Sequence, residues 1–200
     1  MQVGNTNRRH DNNVWKGFAA GLMGGLIASW TMNRFQDVWN RLAVGLENSP
    51  GKQFGEVSGI VPADVEALPA TEVWKSDTQS PVQDDTTVKA ASAVSEGLFH
   101  HRLTESEKKI AGSAVHYFLG TGVGGVYGAW AELAPRVTAG AGLPFGAAFW
   151  LVVDEGAVPL LGLSKGPTSY PLTTHAYALA SHFVYGLTAE TVRRAIRNTL

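Results

Sequence analysis

The chain has no cysteine among its 200 residues. That excludes a disulfide framework, a thiolate-ligated zinc or iron–sulfur site, and thiol chemistry. Charge is scarce too: 16% of residues are Asp, Glu, Lys or Arg, against roughly 25% in an ordinary soluble domain. Neither sign dominates, with 16 Lys+Arg against 17 Asp+Glu. A nucleic-acid partner held by a basic surface is excluded on that balance. There is no Walker motif, dinucleotide fingerprint, zincin helix or nucleophile elbow. The run Gly120-Thr121-Gly122-Val123-Gly124-Gly125 is no substitute, because it lies inside an apolar stretch with no strand before it.

What is present is 23 Gly, 6 Trp and long uncharged runs. Residues 17–33 lie between Lys16 and Arg34, and residues 110–131 between Lys109 and Glu132. Residues 137–153 lead into Asp154-Glu155, and apolar character resumes through Leu163. Residues 166–189 lie between Lys165 and Glu190, with Pro171 setting the helix start near Leu172. A soluble helix shows water a polar face, and these runs show none over several turns. The expected fold is all-α: a polytopic membrane protein with a four-helix transmembrane bundle, its main partner the lipid bilayer.

The expected spans are 14–35, 110–132, 137–163 and 171–192, after a tail at 1–13 and before a basic end at 193–200. The first run has the outline of a signal peptide with small residues at Ala28-Ser29. Apolar character continues past them through Trp30 and Met32, so it is read as a retained helix. Residues 36–109 form a hydrophilic loop. Pro50, Pro62, Pro69 and Pro81 break any apolar period in its first part. Asp84, Asp85, Thr86 and Thr87 offer caps for an amphipathic helix near 86–100, on the membrane surface or on the bundle. Thr104 and Glu107 have the spacing of a capping box that opens the second span. Glu132 and Glu190, at span ends, are expected at the interface. Opposite Arg34, Arg41, Arg102, Lys108, Lys109 and Lys165, an even number of spans puts both termini on one side, with Arg8, Arg9, Lys16, Arg136, Arg193, Arg194 and Arg197. That side is taken as cytoplasmic.

Two kinds of residue stand out inside the runs. Gly112, Gly120, Gly124 and Gly128, with His116 between them, keep a four-residue rhythm, and Gly21 and Gly25 repeat it in the first run. Such stripes let helix backbones approach closely in lipid. The second kind is ionisable: His116, Asp154, Glu155, His175 and His182. Intramembrane ionisable groups are costly and face the bundle interior. His175 and His182 share an azimuth but stand about 10.5 Å apart along the axis. They cannot ligate one metal together. Adjacent Asp154 and Glu155 diverge by about 100° on a helix, and Pro159 removes a donor four residues after Glu155. Either the third helix breaks near 154–159, as in transporters with ion sites at such breaks, or it ends at Asp154-Glu155. His100-His101 lie in a hydrophilic stretch and are read as solvated.

The run Ala114-Val115-His116-Tyr117 with its glycine stripe resembles the YagU-like family of bacterial inner-membrane proteins. Pro159-Leu160-Leu161-Gly162-Leu163 and the His175–His182 helix ending in Glu190 and Arg193-Arg194 carry the same resemblance. It implies a small polytopic protein of the bacterial cytoplasmic membrane, an uncharacterised protein family, and no particular chemistry.

Three functional readings follow. In the first, the histidines and carboxylates handle protons, ions or a small solute. In the second, the protein is a structural or partner-binding subunit, a homo-oligomer or a companion of another membrane protein, assembled through glycine faces. The third, an intramembrane enzyme or metal site, has no spacing in its favour; no cofactor and no metal are expected, and the pattern points away from an enzyme.

Overall fold

A computed structural model describes residues 4–47 and 81–200, with side chains described at 13–42 and 86–200. The proline-rich part of the expected loop, 48–80, lies outside the described residues. All regular structure among the described residues is helical. The main elements are α1 (Gly4–Glu47), α2 (Pro81–Phe99), α3 (Glu105–Leu133), α4 (Leu143–Val152) and α5 (Leu172–Arg197). Helix α1 packs on α3 and α5, α2 on α3, and α4 on α5.

Helix α1 is 44 residues long, so it runs well past both ends of the expected first span. Its start at Gly4 puts most of the expected tail in helix. Helix α2 begins at Pro81, upstream of the expected caps, since proline suits a first helical turn where no N–H partner is needed. It lies on the bundle: Val88 packs against Gly112 of α3. Helix α3 opens on a capping box. The Glu107 amide donates to the Thr104 hydroxyl, and the Glu107 carboxylate accepts from the Thr104 amide at 2.7 Å. The Thr104 backbone N–H, then its hydroxyl, hold the Glu107 carboxyl below the usual carboxylate range.

Between α3 and α4 the chain turns through Pro135–Gly142, with Gly140, Ala141 and Gly142 all at positive φ. The turn lets α4 come backbone to backbone with α5. A Cβ on Gly142 would strike the Gly186 carbonyl, and one on Gly146 the His182 carbonyl. Beyond α4 the helix neither breaks nor ends at Asp154-Glu155. It widens into a π turn, Val153–Ala157, and closes with one α turn, Val158–Leu160. Pro159 accounts for this: it cannot donate to the Glu155 carbonyl, and Val158 donates to Val153 instead.

Helices α1 and α3 meet along two glycine faces. A Cβ on Gly124 would sit 2.5 Å from the Gly25 Cα, and one on Gly17 would sit 2.5 Å from the Gly128 carbonyl oxygen. Gly21 faces Gly124 and Gly128, and Gly120 faces Ser29. The interior is otherwise made of small and polar groups. Among the described residues the buried hydrophobics are five alanines, Met32, Tyr127 and Tyr185, beside buried Ser29, Gln36, Ser181, His182, Glu190 and Arg193. Large apolar side chains lie outside, among them Phe118 (78% exposed), Leu160 (87%) and Leu172 (86%).

Four spans were expected. Among the described residues one helix, Pro135–Leu160, is long and apolar enough to cross a membrane by length and composition. That helix is weak support for a membrane location taken alone.

Candidate functional site

Helix α5 presents a polar column on its inner face. His175, His182, Glu190 and Arg193 recur along it, separated by the small residues Gly186 and Ala189 that let α4 and α1 close in. Each of its histidines meets one carboxylate of the π turn. His175 Nδ1 lies 2.6 Å from Glu155 Oε1, and its Nε2 lies 3.0 Å from the Pro167 carbonyl oxygen. His182 Nδ1 donates to the Ala178 carbonyl at 2.8 Å and lies 3.7 Å from Asp154 Oδ2. Helix α4 runs antiparallel to α5, so the later carboxylate takes the earlier histidine. The π turn and the longer Glu155 side chain reach histidines about 10.5 Å apart along α5.

The two pairs differ in chemistry. Both nitrogens of His175 face oxygen, so a proton on Nδ1 is shared with Glu155 while Nε2–H serves Pro167. His182 is 2% exposed, spends Nδ1–H on its own helix, and holds Asp154 at ion-pair rather than hydrogen-bond range. His116 on α3 lies against the Ser29 backbone and within electrostatic reach of His182. Its Nε2 is buried without a partner. The five ionisable residues therefore form a chain of neighbours: His175, Glu155, Asp154, His182, His116. They do not form a shell, and among the described residues no group of three or more His, Asp or Glu could hold a metal ion. His101, one of the pair expected to be solvated, is exposed and lies 3.4 Å from Glu107.

Aromatic rings close the column below His182. Phe149 meets the imidazole edge to face at 5.2 Å, Phe145 follows, and Tyr127 stacks on Phe145 at 3.9 Å. Tyr185 donates its hydroxyl to the Gly120 carbonyl at 2.5 Å, tying α5 to α3.

Beyond the aromatic layer lies an ion-pair cluster. Glu190, expected at an interface, is 1% exposed. It accepts from Tyr127 at 2.9 Å, from Arg193 at 2.7 and 2.9 Å, and from Arg194. Four charge-assisted contacts replace the water it has lost. Glu132 accepts from Arg197 at 2.7 Å. Arg197 also reaches Asn13, and Lys16 reaches the carbonyl of Leu200, so the start of α1 and the end of α5 share one end of the molecule.

The sequence reading also passed over a polar stripe on α1. Ser29, Asn33, Gln36 and Asn40 recur at helical spacing on the side facing α3 and α5. That spacing was the available signal; the absence of charge hid it.

Residues 56–191, more than half of the chain, match the family described as protein of unknown function (DUF1440). No curated protein and no solved structure matches the chain.

Proposed function

The chain belongs to this family of unknown function, and we propose that it is an integral membrane protein that passes protons along its histidine–carboxylate pairs. The observation that carries the reading is the π turn, which brings Asp154 to His182 and Glu155 to His175 on two successive rungs. Imidazole titrates near neutrality, and a shared proton beside a carboxylate is the recurring element of intramembrane relays.

The membrane part of the proposal rests on the inverted distribution of side chains. Ser29, Gln36, Ser181, His182, Glu190 and Arg193 are inside, and Phe118, Val126, Trp130, Leu151, Val152 and Leu160 are outside. In water such a surface would be an aggregation liability. In lipid it is the expected one. Among the described residues only Pro135–Leu160 passes on composition, because the other helices carry glycine, serine and histidine toward their neighbours, which lowers their average. We read the whole as a YagU-like four-span bundle of the bacterial cytoplasmic membrane. Both termini lie on the cytoplasmic side, where Lys16, Arg136, Arg194 and Arg197 gather. The assembly reading has less support, since Gly21, Gly25, Gly120, Gly124 and Gly128 are occupied within the chain and Gly112 is covered by α2.

The full-length protein in liposomes with an internal pH dye tests this. An imposed pH gradient should collapse faster than in empty vesicles, and Glu155→Gln and His182→Asn should each return the rate to the empty-vesicle level. Unchanged flux in both variants, or no flux in the parent, overturns the reading.

A further inference from the structure

The relay just described needs water to reach it, and the polar stripe of α1 lies where an inlet would. Ser29, Asn33, Gln36 and Asn40 spread over eleven helical steps, a rise of about 16.5 Å. Their four neutral hydrogen-bonding side chains occupy a face that would otherwise carry alanine or glycine, as Gly17, Ala20, Gly21, Gly24, Gly25 and Ala28 do in the half below. Asn33 Nδ2 donates to the Tyr117 hydroxyl across to α3 at 3.3 Å. At one end of the stripe, buried Asn40 Oδ1 has no partner; toward the other, buried His116 Nε2 has none. Two buried polar atoms without partners are costly unless something completes their hydrogen bonding. Water does so wherever a polar site has room.

We propose that Ser29, Asn33, Gln36 and Asn40, with Tyr117 and His116, line a hydrated inlet that brings water down to His116 from the end of the bundle where Trp39 meets Tyr177 and His175 lies, a proposal that rests on the proton-relay reading above. Water is the ligand, donating to Asn40 Oδ1 at the mouth and hydrogen-bonded to His116 Nε2 at the base. The inlet ends at Ser29. There the Ser29 hydroxyl turns back to the Gly25 carbonyl at 2.9 Å, Gly120 closes on it from α3, and Tyr185 caps the Gly120 carbonyl. Below that level the helices touch backbone to backbone and leave no space for solvent.

The chain has no cysteine, so single replacements report accessibility without background. Asn40→Cys, Gln36→Cys and Asn33→Cys, with Ala20→Cys as the dry control, are made in the full chain. A membrane-impermeant cationic methanethiosulfonate is then added to either side of proteoliposomes. The three inlet positions should react from one side only, in the order Asn40, Gln36, Asn33. Each should react at least about tenfold faster than Ala20→Cys, whose thiol stays protonated in apolar surroundings. Reaction as slow as the control at all three overturns the inlet. If one replacement fails to fold, the remaining two decide. Labelling needs no flux, so the two readings fail separately. Graded labelling in a protein without proton flux leaves the inlet and removes the relay. Flux that depends on His182, with no labelling, does the reverse.

Discussion

Tyr127 and Glu190 lie 63 residues apart in the chain and meet in the interior, the phenol donating to the carboxylate at 2.9 Å. The same carboxylate neutralises Arg193, itself 7% exposed. Glu190→Ala would leave that buried guanidinium with only Glu132, 4.0 Å away, as counter-charge, at a cost of about 3 kcal/mol. Tyr127→Phe removes one hydrogen bond and keeps the stack on Phe145, for a loss nearer 1 kcal/mol. Thermal unfolding of the detergent-solubilised variants measures both, and equal losses would contradict this account of the cluster.

The glycine faces make a sharper contrast. A Cβ at Gly124 meets the α1 backbone, whereas one at Gly122 meets nothing within 4 Å. Gly124→Ala should destabilise by about 1–3 kcal/mol through forced separation of α1 and α3. Gly122→Ala should fall within about 0.5 kcal/mol of the parent. The pair can be compared by resistance to unfolding in mixed detergent.

At the start of α3, Thr104→Ala should weaken the helix by about 1 kcal/mol and raise amide exchange over its first turn. The capping contribution also depends on pH. Because the folded-state carboxyl of Glu107 titrates below its unfolded value, the cap is fully present above the ordinary carboxylate range. It is lost as pH falls through the lowered folded value. Exchange at residues 105–108 followed across acid pH reports this directly.

These features were not equally readable from the sequence. The Thr104–Glu107 box is local, so its spacing alone defines it. The separate rungs of His175 and His182 follow from helix geometry, but their partners depend on a π turn that a proline signals only as a break. The four-residue glycine rhythm marks a close approach without saying which helix approaches; the α1 and α3 faces are a tertiary fact. The sequence places Glu190 at a span end, but Tyr127, which helps to bury it there, is remote in sequence. The span count suffers from averaging. Glycine and serine on inner faces dilute the apolar outer faces, so composition alone picks out Pro135–Leu160.

Everything proposed for the ionisable column depends on hydrocarbon bathing the outer faces that carry Phe118, Val126 and Leu160. Washing membranes of expressing cells in alkaline carbonate and assaying both fractions for the full-length chain tests this most directly. The account predicts that the protein stays in the pellet and leaves it only with detergent. Release into the aqueous supernatant would contradict it.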